Sequence, residues 1–355
     1  MAEMRATPEP PEARSAARWW RALEDGRLLC LLCPHACRIG EGETGRCCVR
    51  KNSAGRLRSL SYGQPTGFAV DPIEKKPLFH FLPGSEVLSF GTYGCTLSCR
   101  FCQNWPHSHP AEIPVRVRPV SPAEIVALAE RHGTPSIAYT YNEPTVFAEY
   151  MVETARLARE QGLRNVAVTN GYIAAGARNE VFADLDAANV DLKGFSDEFY
   201  RDQAGGRLRP VLDTIEWMHR ETQIWLEITT LLIPGLNDSD EQLHAECDWI
   251  AERLGADVPV HFTAFHPDFQ MRDRPRTPAE TLRRACGIAR ARGLRYGYVG
   301  NIMDEDGAST RCPQCGMTVI ARGWHAGDPA GLEGSRCRAC GGAIAGVFFP
   351  RTTGH

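Results

Sequence analysis

Between residues 86 and 303 the chain alternates short apolar runs with longer stretches in which apolar residues recur at helical spacing. The short runs cover 87–90, 136–141, 165–169, 188–191, 224–231, 260–263 and 296–299. Bounded by Gly, Asn and Pro, they read as strands, and the stretches between them read as helices. That alternation predicts βα units around a parallel sheet, an α/β fold class. Two helix starts are explicit. Ser121-Pro122-x-Glu124 supplies an N-cap, a Pro at the first helical position and a capping-box Glu, and Thr277-Pro278-x-Glu280 repeats the signal. Outside this region the pattern predicts a disordered leader over 1–17, a helix through Trp19, Trp20 and Leu23, and a cysteine-rich extension over 18–85. The barrel region runs over 86–305, a ribbon over 306–346 and a tail over 347–355.

Composition narrows the class. A chain of 355 residues accommodates one sizeable barrel with small appendages, or two domains. Its hydrophobic fraction of 43% and charged fraction of 23% are ordinary for a soluble globular protein. A formal charge of -3 predicts no general attraction to nucleic acid or to an anionic membrane. No stretch approaches the roughly 20 apolar residues of a membrane span, and the first thirty residues lack the apolar run of a signal peptide. The fourteen cysteines fall mostly in short-spaced groups, which in a chain of this size point to metal rather than to disulfides. The expectation is a cytoplasmic protein working under reducing conditions.

Three cysteine groups carry the candidate chemistry. Cys95, Cys99 and Cys102 stand as C-x3-C-x2-C in the loop after the first barrel strand. Three thiolates can hold three irons of a four-iron, four-sulfur cluster and leave the fourth open to a ligand, whereas electron-transfer ferredoxin runs supply a fourth cysteine. The competing reading is a zinc knuckle completed by His107 or His109. Cys30, Cys33, Cys37 and Cys47 surround a Gly-rich turn and are candidates for a second metal, with His35 as a substitute ligand; free buried thiols and a second iron-sulfur cluster are the alternatives. Cys312, Cys315, Cys337 and Cys340 form paired C-x2-C knuckles, the pattern of a structural zinc ribbon. Cys247 and Cys286 fall in predicted helices as small core residues.

Polar residues follow the predicted strands one after another. The cysteine loop, Asn142 and Glu143, Asn170, Asp191 and Lys193, and His266 would all gather at one rim of a barrel. Barrels of parallel strands build their sites at that rim, so the convergence is itself a functional signal.

The cysteine loop with Phe101 before its last cysteine, the strand end YTYNEPTVF, and the runs VDLKGF, ITTLLIPGLND and CLLCPHACRIGEGETGRC together resemble the radical S-adenosylmethionine (radical SAM) enzymes related to the pyruvate formate-lyase activating enzyme. More closely, they resemble the radical SAM member of the AmmeMemoRadiSam system. The resemblance implies a partial (β/α)6 TIM-type barrel. It implies a [4Fe-4S] cluster on Cys95, Cys99 and Cys102 whose open iron binds SAM, with Phe101 near the adenine. It places Asn142 and Glu143 where the superfamily has a Gly-Gly-Glu turn whose carboxylate meets the SAM amine, the two glycines being replaced here by Tyr141 and Asn142. Asn170, Asp191, Lys193 and His266 then belong to the SAM pocket. The implied reaction is reductive cleavage of SAM to methionine and a 5'-deoxyadenosyl radical, driven by an external flavodoxin- or ferredoxin-type reductant, and hydrogen abstraction from a substrate at the barrel mouth. AMMECR-type and Memo-type proteins are the implied partners.

Two other functions stay open on sequence alone. One is the narrower role of a glycyl-radical enzyme activase. The other, from a different class, is an iron-sulfur and zinc protein that binds nucleic acid through Arg311, Arg322, Arg336 and Arg338 of the ribbon, with Trp324 as its aromatic. Electron transfer alone conflicts with an open cluster corner.

Overall fold

The computed structural model describes residues 15–110, 113, 118–323 and 326–348. Its centre is an eight-stranded sheet: β1 (Thr66–Pro72), β2 (Glu86–Gly91), β3 (Ser136–Tyr139), β4 (Arg164–Thr169), β5 (Ala187–Asp191), β6 (Trp225–Leu232), β7 (Val260–Ala264) and β8 (Gly297–Gly300). The strands lie side by side in chain order. β2 to β8 are parallel, and β1 pairs antiparallel with β2. Six helices fill the crossovers: α1 (Pro122–His132), α2 (Ala148–Glu160), α3 (Ala175–Val181), α4 (Leu208–Glu221), α5 (Asp240–Leu254) and α6 (Ala279–Ala291). Among the described residues no pairing joins β8 back to β1, so the sheet is curled but open.

The expected strands are present within a few residues of their expected ends, because short apolar runs covered by helices have no other way to bury both faces. Ile137, Val166, Val190, Ile228 and Phe262 are fully buried in this way. The capping box at Ser121 forms as written, with Glu124 N donating to Ser121 Oγ and Ser121 N to Glu124 Oε2. Its expected repeat does not form. Thr277 gives its hydroxyl to Leu232 O at 2.6 Å and accepts from Phe265 N at 3.0 Å, so it ties α6 to the sheet and leaves the helix start to Pro278. Cys247 and Cys286 are buried core residues of α5 and α6, as expected.

Two expectations for the N-terminal region are corrected. The helix through Trp19, Trp20 and Leu23 is instead the strand Trp20–Ala22, paired antiparallel with Leu28–Cys30. Its turn closes through Leu23 N to Arg27 O and uses Gly26 at φ +77, a conformation glycine adopts freely, so the local Asp-Gly signal overrode helical spacing. Residues 1–14 of the expected leader lie outside the described residues, but Ala16 bridges to Arg58 and Ala17 is buried. The extension also contributes β1 to the central sheet, which no periodicity announced.

The extension is fastened to the central α/β unit by a buried ion pair. Arg50 is 1% exposed, its guanidinium donates three bonds of 3.0–3.1 Å to the Glu149 carboxylate in α2, and Nη2 reaches Arg18 O. At the other end, Arg322 from the strand Thr318–Arg322 is buried. It donates to Ala308 O, Thr310 Oγ1 and Phe79 O, and its guanidinium lies 4.2 Å from the Phe79 ring centroid. Beneath it the Glu227 carboxylate accepts from Phe79 N, His80 N and His261 Nε2. Burial pushes the His80 imidazole down to about 4, which leaves it neutral beside Tyr298 and Ala345 O. Each of these charges is paired or bonded through most of its polar atoms, which meets most of the condition for burying charge, although Nε of Arg50 and of Arg322 finds no hydrogen-bond partner.

Candidate active site

The loop that follows β2 carries Cys95, Cys99 and Cys102. Its backbone is held from three sides: Gly94 N donates to His107 O, Ser98 N to Ala204 O and Arg100 N to Gln203 O. Gly94 sits at φ +89 against the N-terminal extension, and a Cβ there would lie 2.4 Å from Cys47 O. Only glycine fits so close an approach. The three thiols line one wall of a cavity of about 860 Å³, within the size range of small-molecule sites.

Every residue expected at the rim lines that same cavity: Phe101, Asn142, Glu143, Asn170, Asp191, Lys193 and His266. Topology explains this, since they lie on or just after the C-terminal ends of five parallel strands, β2, β3, β4, β5 and β7. Phe101 is buried against Phe199 and His266 is exposed at the mouth.

Glu143, 2% exposed, is the most heavily bonded of them. Oε1 accepts from Thr145 N at 2.9 Å and from the Thr145 and Thr169 hydroxyls at 2.7 Å, while Oε2 accepts from Asn170 N at 2.8 Å. A carboxylate offers about four acceptor sites, two per oxygen, so Oε2 retains capacity for a donor arriving from the cavity. Burial pushes its carboxyl up, against the pull of those donors. Lys193 pairs with Asp191 at 2.9 Å. Burial works against its charge, but Asp191 and the nearby Cys99 outweigh that and hold it above the ordinary lysine value.

Asn142 borders the cavity and also clasps the base of the cysteine loop: its Oδ1 accepts from Thr92 N and its Nδ2 donates to Thr92 Oγ1 and Gly94 O. The preceding Tyr141 takes φ +71, a left-handed conformation costly for a bulky side chain. It supplies the backbone shape that a glycine would give at this turn. Its ring is held by Lys76 Nζ, 5.0 Å from the centroid, and its hydroxyl by Asp71.

Spacing between donors sets one of the three cysteine groups apart. Among the described residues, Cys312, Cys315, Cys337 and Cys340 are the one set whose ligand atoms all lie within 4.8 Å of one another. Four thiols so close fit a single tetrahedral ion. Cys95, Cys99 and Cys102 are set wider and gain no histidine: His107 stacks on Tyr93 and His109 on Phe269. The wider spacing suits a cluster, whose thiolates sit on separate irons. Burial pushes the Cys99 thiol up to about 12 and Cys95 well above its ordinary value, so both are held neutral until a metal takes the proton's place.

The ribbon arginines are committed elsewhere. Arg322 is buried, Arg311 pairs with Asp306, and Arg336 and Arg338 donate to Gly341 O and Leu332 O. Trp324 lies outside the described residues. Arg311, Arg336 and Arg338 remain exposed while making these bonds.

Comparison with known proteins agrees with this geometry. Residues 90–247 match the radical SAM superfamily. The chain is also 42% identical over 332 residues to the uncharacterized protein MJ0808 of Methanocaldococcus jannaschii, an alignment covering 92% of this chain and 98% of that one. The chain belongs to the radical SAM superfamily. It is a radical SAM enzyme, of the class that uses a [4Fe-4S] cluster and SAM. It is similar to the pyruvate formate-lyase-activating enzyme of Clostridium pasteurianum, 24% identical over 45% of this chain and 67% of that protein. Among solved structures it is similar to a radical SAM methyltransferase from Sphaerobacter thermophilus, with a TM-score of 0.49 and 19% identity over 62% of this chain and 67% of that one.

Sequence reasoning missed the inner wall of this radical SAM cavity. His261 lines it, donating through Nε2 to the Glu227 carboxylate at 2.7 Å, and Thr229, Thr263, Lys76 and Arg322 line it too. A signal was available in β7, where His261 and Thr263 alternate with apolar residues and so share the inward face. Among the described residues no helix is long and apolar enough to cross a membrane.

Proposed function

We propose that this protein cleaves SAM reductively on a [4Fe-4S] cluster held by Cys95, Cys99 and Cys102 and uses the resulting carbon radical to take hydrogen from a substrate inside the cavity. The observation that carries the reading is the convergence of three widely set, buried thiols and the Glu143 carboxylate on one cavity of about 860 Å³. When bound, the cluster and SAM supply the one-electron chemistry. The chain's own residues bind and orient. Oε2 of Glu143 receives the SAM amine, Phe101 borders the adenine, Asn170 fixes the Glu143 carboxylate through its backbone N–H, and the Asp191–Lys193 pair and His266 border the rest of the ligand. The buried walls exclude water and partner molecules that would quench a radical.

Four thiols within 4.8 Å support a structural zinc in the ribbon, since they leave no coordination position open. An external flavodoxin- or ferredoxin-type reductant would supply the electron. The motif resemblance supports AMMECR-type and Memo-type partners. The likeness to a pyruvate formate-lyase-activating enzyme supports a second reading, activation of a glycyl-radical enzyme, whose polypeptide substrate would enter at the exposed His266 rim.

The test is anaerobic reconstitution with iron and sulfide, then dithionite and SAM, with 5'-deoxyadenosine assayed by mass spectrometry. Formation that depends on all three cysteines is expected. A well-formed cluster that neither perturbs nor cleaves SAM would overturn the proposal.

A further inference from the structure

A second set of thiols stands directly behind the cluster loop. Cys30, Cys33, Cys37 and Cys47 line one small enclosed pocket of about 10 Å³, with Arg50, His35 and Thr96 completing its wall. They reach it from two tight turns. Cys30 N bonds to Cys37 O and Ala36 N to Cys33 O on one side, and Cys48 N to Gly45 O on the other. His35 is not free to serve as a ligand through Nε2, which contacts Thr96 O at 2.7 Å. Arg50 carries an independent sign. It is 1% exposed and beside Cys30, and although its terminal nitrogens are saturated, its buried Nε has no hydrogen-bond partner. A buried, unpaired guanidinium N–H is costly, and a thiolate sulfur facing it would satisfy it.

We propose that these four cysteines hold a single thiophilic ion, zinc by preference, as a structural centre that braces the back of the cluster loop. The volume decides for one ion: a pocket of about 10 Å³ holds roughly one water-sized sphere, far too little for an iron-sulfur cubane. The thiols are set wider than those of the ribbon, so binding the ion draws their sulfurs inward by changes of cysteine rotamer. Four thiolates leave no position for substrate, so the centre is structural. Its reach into the active site is short. Cys47 O is the atom against which Gly94 packs, and the His35 ring bonds to the carbonyl of Thr96, next to Cys95. Fixing the four thiols fixes both contacts.

The experiment counts metals in the full chain prepared under reducing conditions with zinc and iron supplied. The parent should carry two zinc ions per chain. The ribbon variant Cys315→Ser/Cys340→Ser should keep one, and Cys33→Ser/Cys37→Ser should keep one and also assemble less iron at the neighbouring loop. The variant Cys95→Ala/Cys99→Ala/Cys102→Ala should lose its iron and keep both zincs, so the count stands apart from whether SAM is cleaved. Should Cys33→Ser/Cys37→Ser fail to fold, alkylation mapping of the parent decides: Cys30, Cys33, Cys37 and Cys47 should be protected until a chelator is added. A ribbon variant without zinc, iron with sulfide at these four cysteines, or alkylation indifferent to chelator would each overturn the proposal.

Discussion

Replacing Glu143 by Gln tests the site at its most connected residue. The change removes the charge and makes one acceptor oxygen an NH2 group. If the remaining oxygen keeps the Oε1 position, it still accepts from Thr145 N and from the Thr145 and Thr169 hydroxyls, but the new NH2 opposes the Asn170 N–H at 2.8 Å. In the flipped orientation it opposes Thr145 N, while the two hydroxyls can turn to accept. Either way about one charge-assisted bond within the protein is lost, and the SAM amine loses its acceptor in the first orientation and the acceptor's charge in the second, each bond being worth about 1.5–3 kcal/mol. The second loss alone weakens SAM binding about 10- to 100-fold. Iron content should hold, because Glu143 bonds to none of the three thiols. Isothermal titration of SAM into the reconstituted variant, beside an iron and sulfide count, measures both. Since burial raises the Glu143 carboxyl and the ionised form is the better acceptor, the parent's SAM affinity should strengthen as pH rises through that raised value, and the Gln variant should lose this dependence. Unchanged SAM affinity, or lost iron with SAM binding kept, would refute the assignment.

Other outcomes follow from the same structure. Glu149→Ala leaves the Arg50 charge buried and unpaired and should cost about 3–5 kcal/mol in denaturant unfolding, whereas Arg50→Met/Glu149→Leu should recover most of it; equal stability of the two would be a contradiction. Gly94→Ala should lower iron incorporation at the loop, since its Cβ would press on Cys47 O at 2.4 Å; full iron loading would show that the loop yields there. Burial raises Glu246 in α5 from 4.5 to about 7 with only Thr230 as a partner. Its folded value exceeds its unfolded one, so its contribution is full below 4.5 and is lost as pH rises through 7, by about 3 kcal/mol. The difference in stability between Glu246→Gln and the parent, followed over that range, should grow with pH, and a flat difference would exclude the assignment.

The sequence by itself determined the parallel α/β architecture, the seven parallel strands and the rim, because apolar runs covered by helices and a polar residue after each strand are local patterns with one economical solution. Cys95, Cys99, Cys102 and Glu143 were legible for the same reason: their meaning lies in spacing and in position after a strand. The hairpin around Gly26 was also local, but its turn signal competed with helical spacing and won. The tertiary structure alone decided what depends on partners far along the chain. That Asn142 also ties down Thr92 and Gly94, and that the left-handed Tyr141 has its ring against Lys76 and its hydroxyl on Asp71, is visible only in the folded chain. Arg322 reads as a phosphate contact until its burial over Phe79 turns it into the fastening of the ribbon. Spacing in sequence says that three groups of cysteines are metal-like. Distances between sulfurs, set by folding, pick out the one group already gathered around a point, and the room beside the thiols separates the other two.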